Sequence, residues 1–165
     1  MPEATSDKYA EKGSPRLQQF LEANGTAHHY ATGSTNHTTV IGHSYSSTLI
    51  GDAAKAANWK ETGAPASDFL VAGSPGMQAD RATDLGIDPK HMWAMGGGTD
   101  DLLVRYGGAH AGLGDNLAVP ADPIFGGNVL QSDAGSHGAF WDKNSRSLQN
   151  QAAVAAGRYE VAVHD

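Results

Sequence analysis

Cysteine is absent from the chain, which excludes disulfides, thiolate zinc sites and cysteine nucleophiles together. Basic residues are scarce as well: 11 Lys and Arg stand against 18 Asp and Glu, for a formal net charge of −7 and a pI near 5.5. Binding to a phosphate backbone needs clustered Lys and Arg, so no nucleic-acid partner is expected. No apolar run approaches the roughly 20 residues that span a bilayer. The opening Met1-Pro2-Glu3-Ala4-Thr5-Ser6-Asp7 lacks the basic-then-apolar order of a secretion signal. A cytoplasmic protein without a membrane partner is therefore expected. Hydrophobic residues make up only 39% of the 165 positions. Glycine, by contrast, reaches 21 residues, nearly twice its usual share of about 7%. Apolar blocks still recur along the chain, so the composition reads as one loop-rich globular domain over residues 1–165.

Ser14 as a cap, Pro15 in the first turn, and Leu17, Phe20 and Leu21 at helical spacing predict a helix ending near Gly25. Tyr9 and Ala10 can extend it backwards; residues 1–13 are otherwise expected to be poorly ordered. His28 to Asn36 reads as a loop. Thr38-Thr39-Val40-Ile41-Gly42 is a β-branched strand, and Tyr45 to Ala57 is a helix. Asp68 to Ala72 is a second strand, ended by Gly73-Ser74-Pro75-Gly76, and Gln78 to Leu85 a short helix. His91 to Met95 is a third strand, ended by Gly96-Gly97-Gly98, and Gly107 to Gly127 is one long loop. Asn128 to Gln131 is a fourth short strand, and Ser145 to Gly157 a last helix. Continuous apolar runs alternating with helices predict an α/β fold, a mainly parallel sheet covered on both faces. No repeat or linker divides the chain.

The segment with chemical content is Val40-Ile41-Gly42-His43-Ser44-Tyr45-Ser46-Ser47. In so glycine-rich a chain a bare G-x-S triplet means nothing, but its setting does. A strand ends at Gly42 and a helix starts directly after Ser44. This is the geometry of a nucleophile elbow, which lifts a serine hydroxyl clear of a sheet. The next backbone N–H, that of Tyr45, then points from a helix N-terminus at a developing oxyanion. Ser46 replaces the last glycine of G-x-S-x-G and is small enough to pack there. The plain alternative is that Ser44 only caps the helix.

A serine nucleophile needs a base, and the base an orienting carboxylate; in folds that carry the serine on such an elbow the chain order is serine, acid, histidine. Asp100 and Asp101 follow the third strand; Asp101 is the first choice because Leu102 and Leu103 come after it, with Asp100 close behind. Asp80 and Asp84 are the reserves. Of the downstream histidines, His164 is expected to fray and His110 lies within the glycine-rich loop. His137, in Gly135-Ser136-His137-Gly138, falls between the last strand and the last helix, where a catalytic histidine belongs. A turn aspartate and a surface histidine are the plain alternatives.

Gly96-Gly97-Gly98-Thr99 lacks the lysine of a phosphate loop, and no dinucleotide fingerprint opens a helix. His28, His29, His37 and His43 do not have zinc-binding spacing. No cofactor and no metal are expected. Trp59, Trp93 and Trp141 read as core or pocket-wall residues.

Several segments together resemble an α/β-hydrolase domain family of bacterial proteins with generally unassigned substrates. They are Val40 to Tyr45, Val71 to Gly76, Met92 to Met95, Asp122-Pro123-Ile124-Phe125-Gly126, Ser136-His137-Gly138 and Trp141-Asp142. The chain resembles the C-terminal part of such a domain over roughly Ser14 to Gly157. The resemblance implies a triad of Ser44, His137 and one of Asp101 or Asp100, acting on a small acyl substrate such as an ester. A hydrolase sheet of this kind carries the nucleophile after its fifth strand and takes a second oxyanion donor from the loop after its third. Here one helix precedes the serine strand, so a truncated α/β-hydrolase fold is expected. Its serine strand would lie at an open edge, available for self-association or a partner strand. A catalytically silent remnant serving as an interaction module is the alternative function.

Overall fold

The computed structural model describes residues 6–98, 104, 106, 108 and 118–165. Four strands, β1 (Thr39–His43), β2 (Asp68–Ala72), β3 (Met92–Met95) and β4 (Asn128–Val129), form one parallel sheet in the order β1-β2-β3-β4. Helix α1 (Lys8–Thr32) precedes the sheet, α2 (Ser46–Ala56) and α3 (Trp59–Thr62) join β1 to β2, and α4 (Arg146–Ala155) follows β4. Parallel neighbours need such crossovers, and the crossovers bury both faces of the strands they join.

Alternation along the strands divides the core in two. Phe69 and Val71 of β2, with Met92 and Ala94 of β3, pack against Leu21, Ile50, Ala53 and Trp59. Leu70 and Ala72, with Trp93 and Met95, face Leu130, Phe140 and Val154. Every residue of β2 and β3 is buried, which is why their sequences are continuous apolar runs. Among the described residues strand β1 pairs only with β2, and its Ile41 is 43% exposed. Residue 51 of α2 must be glycine: a Cβ there would lie 1.5 Å from the Met77 carbonyl oxygen.

The structure differs from the expected elements where tertiary contacts override local signals. Helix α1 starts at Lys8 and runs through Gly25 to Thr32, taking in residues 8–13 and 28–32, which read as irregular. Its stop is Gly33, left-handed at φ 70°, whose N–H donates to the His29 carbonyl. Its first half is tied to α2 by Gln18 Nε2 donating to the Ala53 carbonyl at 2.9 Å. Between Gln78 and Leu85 only a 3₁₀ turn over Ala82–Leu85 forms, because Gln78 is itself left-handed at φ 51°. Strand β4 is short, since Leu130 pairs antiparallel with His164. The Asp165 N–H also reaches the Val129 carbonyl at 3.0 Å. The tail around His164, expected to fray, is thus a strap across the last strand. Of the expected loop 107–127, the described part holds buried Ala118 and Val119 and a 3₁₀ turn at Pro123–Phe125. No described helix is long and apolar enough to cross a membrane.

Candidate active site

Ser44 stands at the C-terminal end of β1. Its N–H donates to the Ala72 carbonyl at 2.9 Å, one rung beyond the strand, and its φ is 54°. A non-glycine residue in the left-handed region costs on the order of 1–2 kcal/mol, so the surroundings must hold it there. Ser47, fully buried, does so: its N–H and its Oγ donate to the Ser44 carbonyl at 3.1 and 2.6 Å. Ser74 Oγ lies 2.7 Å from Ser47 Oγ and accepts the Gly76 N–H at 3.1 Å. Thr48 Oγ1 donates to the Gly76 carbonyl at 3.1 Å. The turn is thereby bolted to the loop after β2.

The small residues of the motif have separate reasons. A Cβ on Gly42 would come within 2.8 Å of Ile50 Cδ1 and 3.2 Å of Ser47 N. Ser46 is exposed, so a side chain in place of the motif's last glycine meets nothing. Helix α2 has no side-chain cap, so Ser44 does not serve as one. Among the described residues the Tyr45 N–H reaches no carbonyl, which leaves it as a donor at the N-terminus of an 11-residue helix.

His137 comes to the same end of the sheet. His43, the residue before Ser44, places Nε2 2.8 Å from the His137 carbonyl oxygen. The two imidazole centroids lie 4.7 Å apart. The loop carrying His137 is fastened from behind by Asp133, which accepts the N–H groups of Arg146 and Ser147 at 2.8 and 3.0 Å. Those backbone donors at the start of α4 hold the Asp133 carboxyl down to about 2. Gln151 Nε2 donates to the Phe140 carbonyl at 2.7 Å, closing the far side of the loop.

Asp100, Asp101 and His110 lie outside the described residues. The chain leading to the two acids is described as far as Gly98, whose N–H donates to the Ala134 carbonyl at 2.9 Å. Its absent side chain lets it approach the Gly135 carbonyl: a Cβ would stand 2.9 Å away. The acid-bearing chain thus leaves β3 beside the segment that leads to His137. The reserve acids sit elsewhere. Asp84 pairs with Lys60 at 2.6 Å, and Asp80 and Asp84 line a cleft of about 400 Å³ with Gly51, Lys55 and Asn58.

A second polar cluster occupies the opposite end of β2. Asp68 is fully buried, and its Oδ1 accepts from Trp93 Nε1 at 2.8 Å and lies 2.9 Å from His91 Nδ1. Oδ2 accepts from the Tyr159 hydroxyl at 2.7 Å and lies 3.3 Å from His37 Nε2. Burial, and then the bond to Asp68, pushes the Tyr159 hydroxyl up to about 12. Trp93 stacks on Tyr159, so this tryptophan is a core residue. Among the described residues no three His, Asp or Glu side chains are grouped to hold a metal ion.

The sequence reading missed the supports: Ser47 and Ser74 under the turn, Asp133 behind the histidine loop, and His43 between serine and base. Only Gly51 left a local signal, a glycine inside a strong helical pattern.

The chain belongs to an alpha/beta hydrolase family, whose model matches residues 1–110. That stretch contains Ser44, Asp100 and Asp101 and ends before His137. The chain is also similar to the uncharacterized proteins Rv0963c of Mycobacterium tuberculosis and Mb0988c of Mycobacterium bovis. Each is 39% identical over 69 residues, or 42% of this chain and 24% of the relative. The chain thus spans about a quarter of the length of these curated relatives. No solved structure matches it.

Proposed function

We propose that this protein is a serine hydrolase acting in the cytoplasm on an ester or related acyl bond of a small molecule. Ser44 Oγ attacks the acyl carbon as His137 takes its proton. The carboxylate of Asp101, with Asp100 as the alternative, orients the imidazole, and the Tyr45 N–H stabilises the oxyanion. Collapse of the tetrahedral intermediate expels the alcohol, which receives the proton from His137. Water, deprotonated by His137, then releases the acid and restores Ser44. One observation carries this reading: Ser44 is held left-handed at φ 54° by a turn with no capping task. Strain kept at a position without structural use points to function.

A fluorophosphonate probe tests it. The folded protein should be labelled at Ser44, and Ser44→Ala should not be labelled. An unlabelled parent, or a labelled variant, removes the assignment. Asp101→Asn should lower turnover by up to about 10⁴ with the fold intact, as when the orienting acid of a triad is lost. Asp100→Asn should cost less, and equal small losses would place the acid elsewhere.

The exposure of β1 favours a second reading, an interaction module. Its outer edge carries Thr39 and Ile41 and no charged side chain, and such an edge can pair with the same edge of a second copy. Sedimentation at rising concentration would show association that Ile41→Lys abolishes. A parent that stays monomeric would sink this reading.

A further inference from the structure

We propose that His43, between Gly42 and Ser44, is a positioning residue for the base: it anchors the His137 main chain and offers its ring to the His137 imidazole. The inference rests on the hydrolase reading above and assigns the part played by a residue the triad does not include.

A carbonyl oxygen can only accept, so at 2.8 Å from the His137 carbonyl the His43 Nε2 carries the proton. In the neutral ring Nδ1 is then bare, and the tautomer is fixed by one contact. His43 is the last residue of β1, paired with Ala72, and the Ala72 carbonyl also takes the Ser44 N–H. The main chain that sets the nucleophile therefore holds the loop of the base, across 94 residues of sequence. Such coupling matters because a misplacement of about 1 Å can cost on the order of 10² in rate.

The ring itself is wedged. The His137 imidazole lies at 4.7 Å with the planes tilted by 34°. On another flank Trp141 meets His43 edge-on at 4.8 Å and 84°, and Phe140 does so at 5.8 Å. When His137 takes the serine proton it becomes a cation. An uncharged ring beside it leaves that cation undisturbed, whereas a second imidazolium would repel it. Hydrogen bond and ring face are separate contributions, and substitutions can separate them. His43→Gln keeps an N–H at the Nε2 position and loses the ring. His43→Phe keeps the ring and loses the donor.

The experiment uses the full chain with two readouts: the rate of fluorophosphonate labelling at Ser44 and ¹⁵N NMR of the imidazoles. The parent should show His43 as the Nε2–H tautomer. His43→Phe should label about 10- to 100-fold more slowly at a nearly unchanged melting temperature, and should displace the His137 resonances. His43→Gln should recover most of the rate and the parental His137 signals, a rescue that packing alone would not give. An Nδ1–H tautomer at His43, or a His43→Phe variant that labels at the parental rate, would overturn the inference. If His43→Phe fails to fold, the tautomer and the His43→Gln rescue decide. If the parent itself is not labelled, the hydrolase reading falls. The tautomer and the His137 shifts then still decide whether His43 holds the loop.

Discussion

The two ends of β2 lie about 13 Å apart at 3.3 Å per residue, and each gathers histidines around a polar group. At the N-terminal end, Asp68 is fully buried and meets Trp93, Tyr159, His91 and His37. Both Asp68 oxygens are occupied by these side chains, and the backbone is ordinary strand. At the C-terminal end, Ser44 is half-buried, its backbone left-handed, and the helix N-terminus beside it has an N–H that meets no carbonyl among the described residues. Residue types alone would nominate the first cluster, which contains acid, imidazole and phenol together. Conformational cost and spare hydrogen-bonding capacity nominate the second. Parallel α/β sheets place their sites at the carboxyl ends of the strands, and that is the end at which Ser44 is held left-handed.

Substitutions should break this contrast cleanly. Ser44→Ala is expected to abolish fluorophosphonate labelling while leaving the denaturant midpoint close to that of the parent. Asp68→Ala should do the reverse. By stranding a buried indole N–H and a phenol it should cost about 3–5 kcal/mol in urea unfolding, and the fraction still folded should label normally. Loss of labelling in folded Asp68→Ala would mean that the two ends are not independent.

Asp52, on α2, sharpens the comparison from a third place, because its burial is not compensated. Only 8% exposed, it leaves Oδ2 without a partner among the described residues. Burial, then the Asp7 and Glu11 carboxylates, push it up to about 6 from 3.8, against the opposing pull of Lys55. The native state thus binds a proton that the unfolded chain has released, so stability should fall as pH rises from about 4 to about 6. Asp52→Asn should flatten that slope, by at most about 3 kcal/mol over the window. Thermal melts from pH 4 to 7 measure it, and an unchanged slope in the variant would refute the assignment. The smallest effect belongs to Ser44→Gly, which should gain about 1 kcal/mol of stability by releasing the left-handed strain, with labelling lost.

The layers of the fold were legible because they follow from patterns of short range. Asp68 to Ala72 reads as a fully buried strand and is one. The last helix reads as starting near Ser145, and there the Ser145 side chain accepts the Leu148 N–H. The end of α1 was not legible, because two glycines compete for it: Gly25 is carried inside the helix and Gly33 takes the left-handed stop. At the candidate site Ser44 could be located from its strand–turn–helix setting. The meeting of His43 with His137 could not, since no periodicity links residues so far apart. The Asp68 cluster hid for the same reason, its partners coming from three separate stretches, at His37, at His91 and Trp93, and at Tyr159.

Spatial order in the sheet repeats chain order, β1-β2-β3-β4, and no later strand has to slip between two earlier ones. A nascent polypeptide that folds from its N-terminus can complete the turn at Ser44 once β2 and the Ser74 loop have emerged. The stretch around His137 and the strap at His164 emerge after those segments. For the time in between, the chain would carry the left-handed turn at Ser44 without the His137 loop that His43 holds.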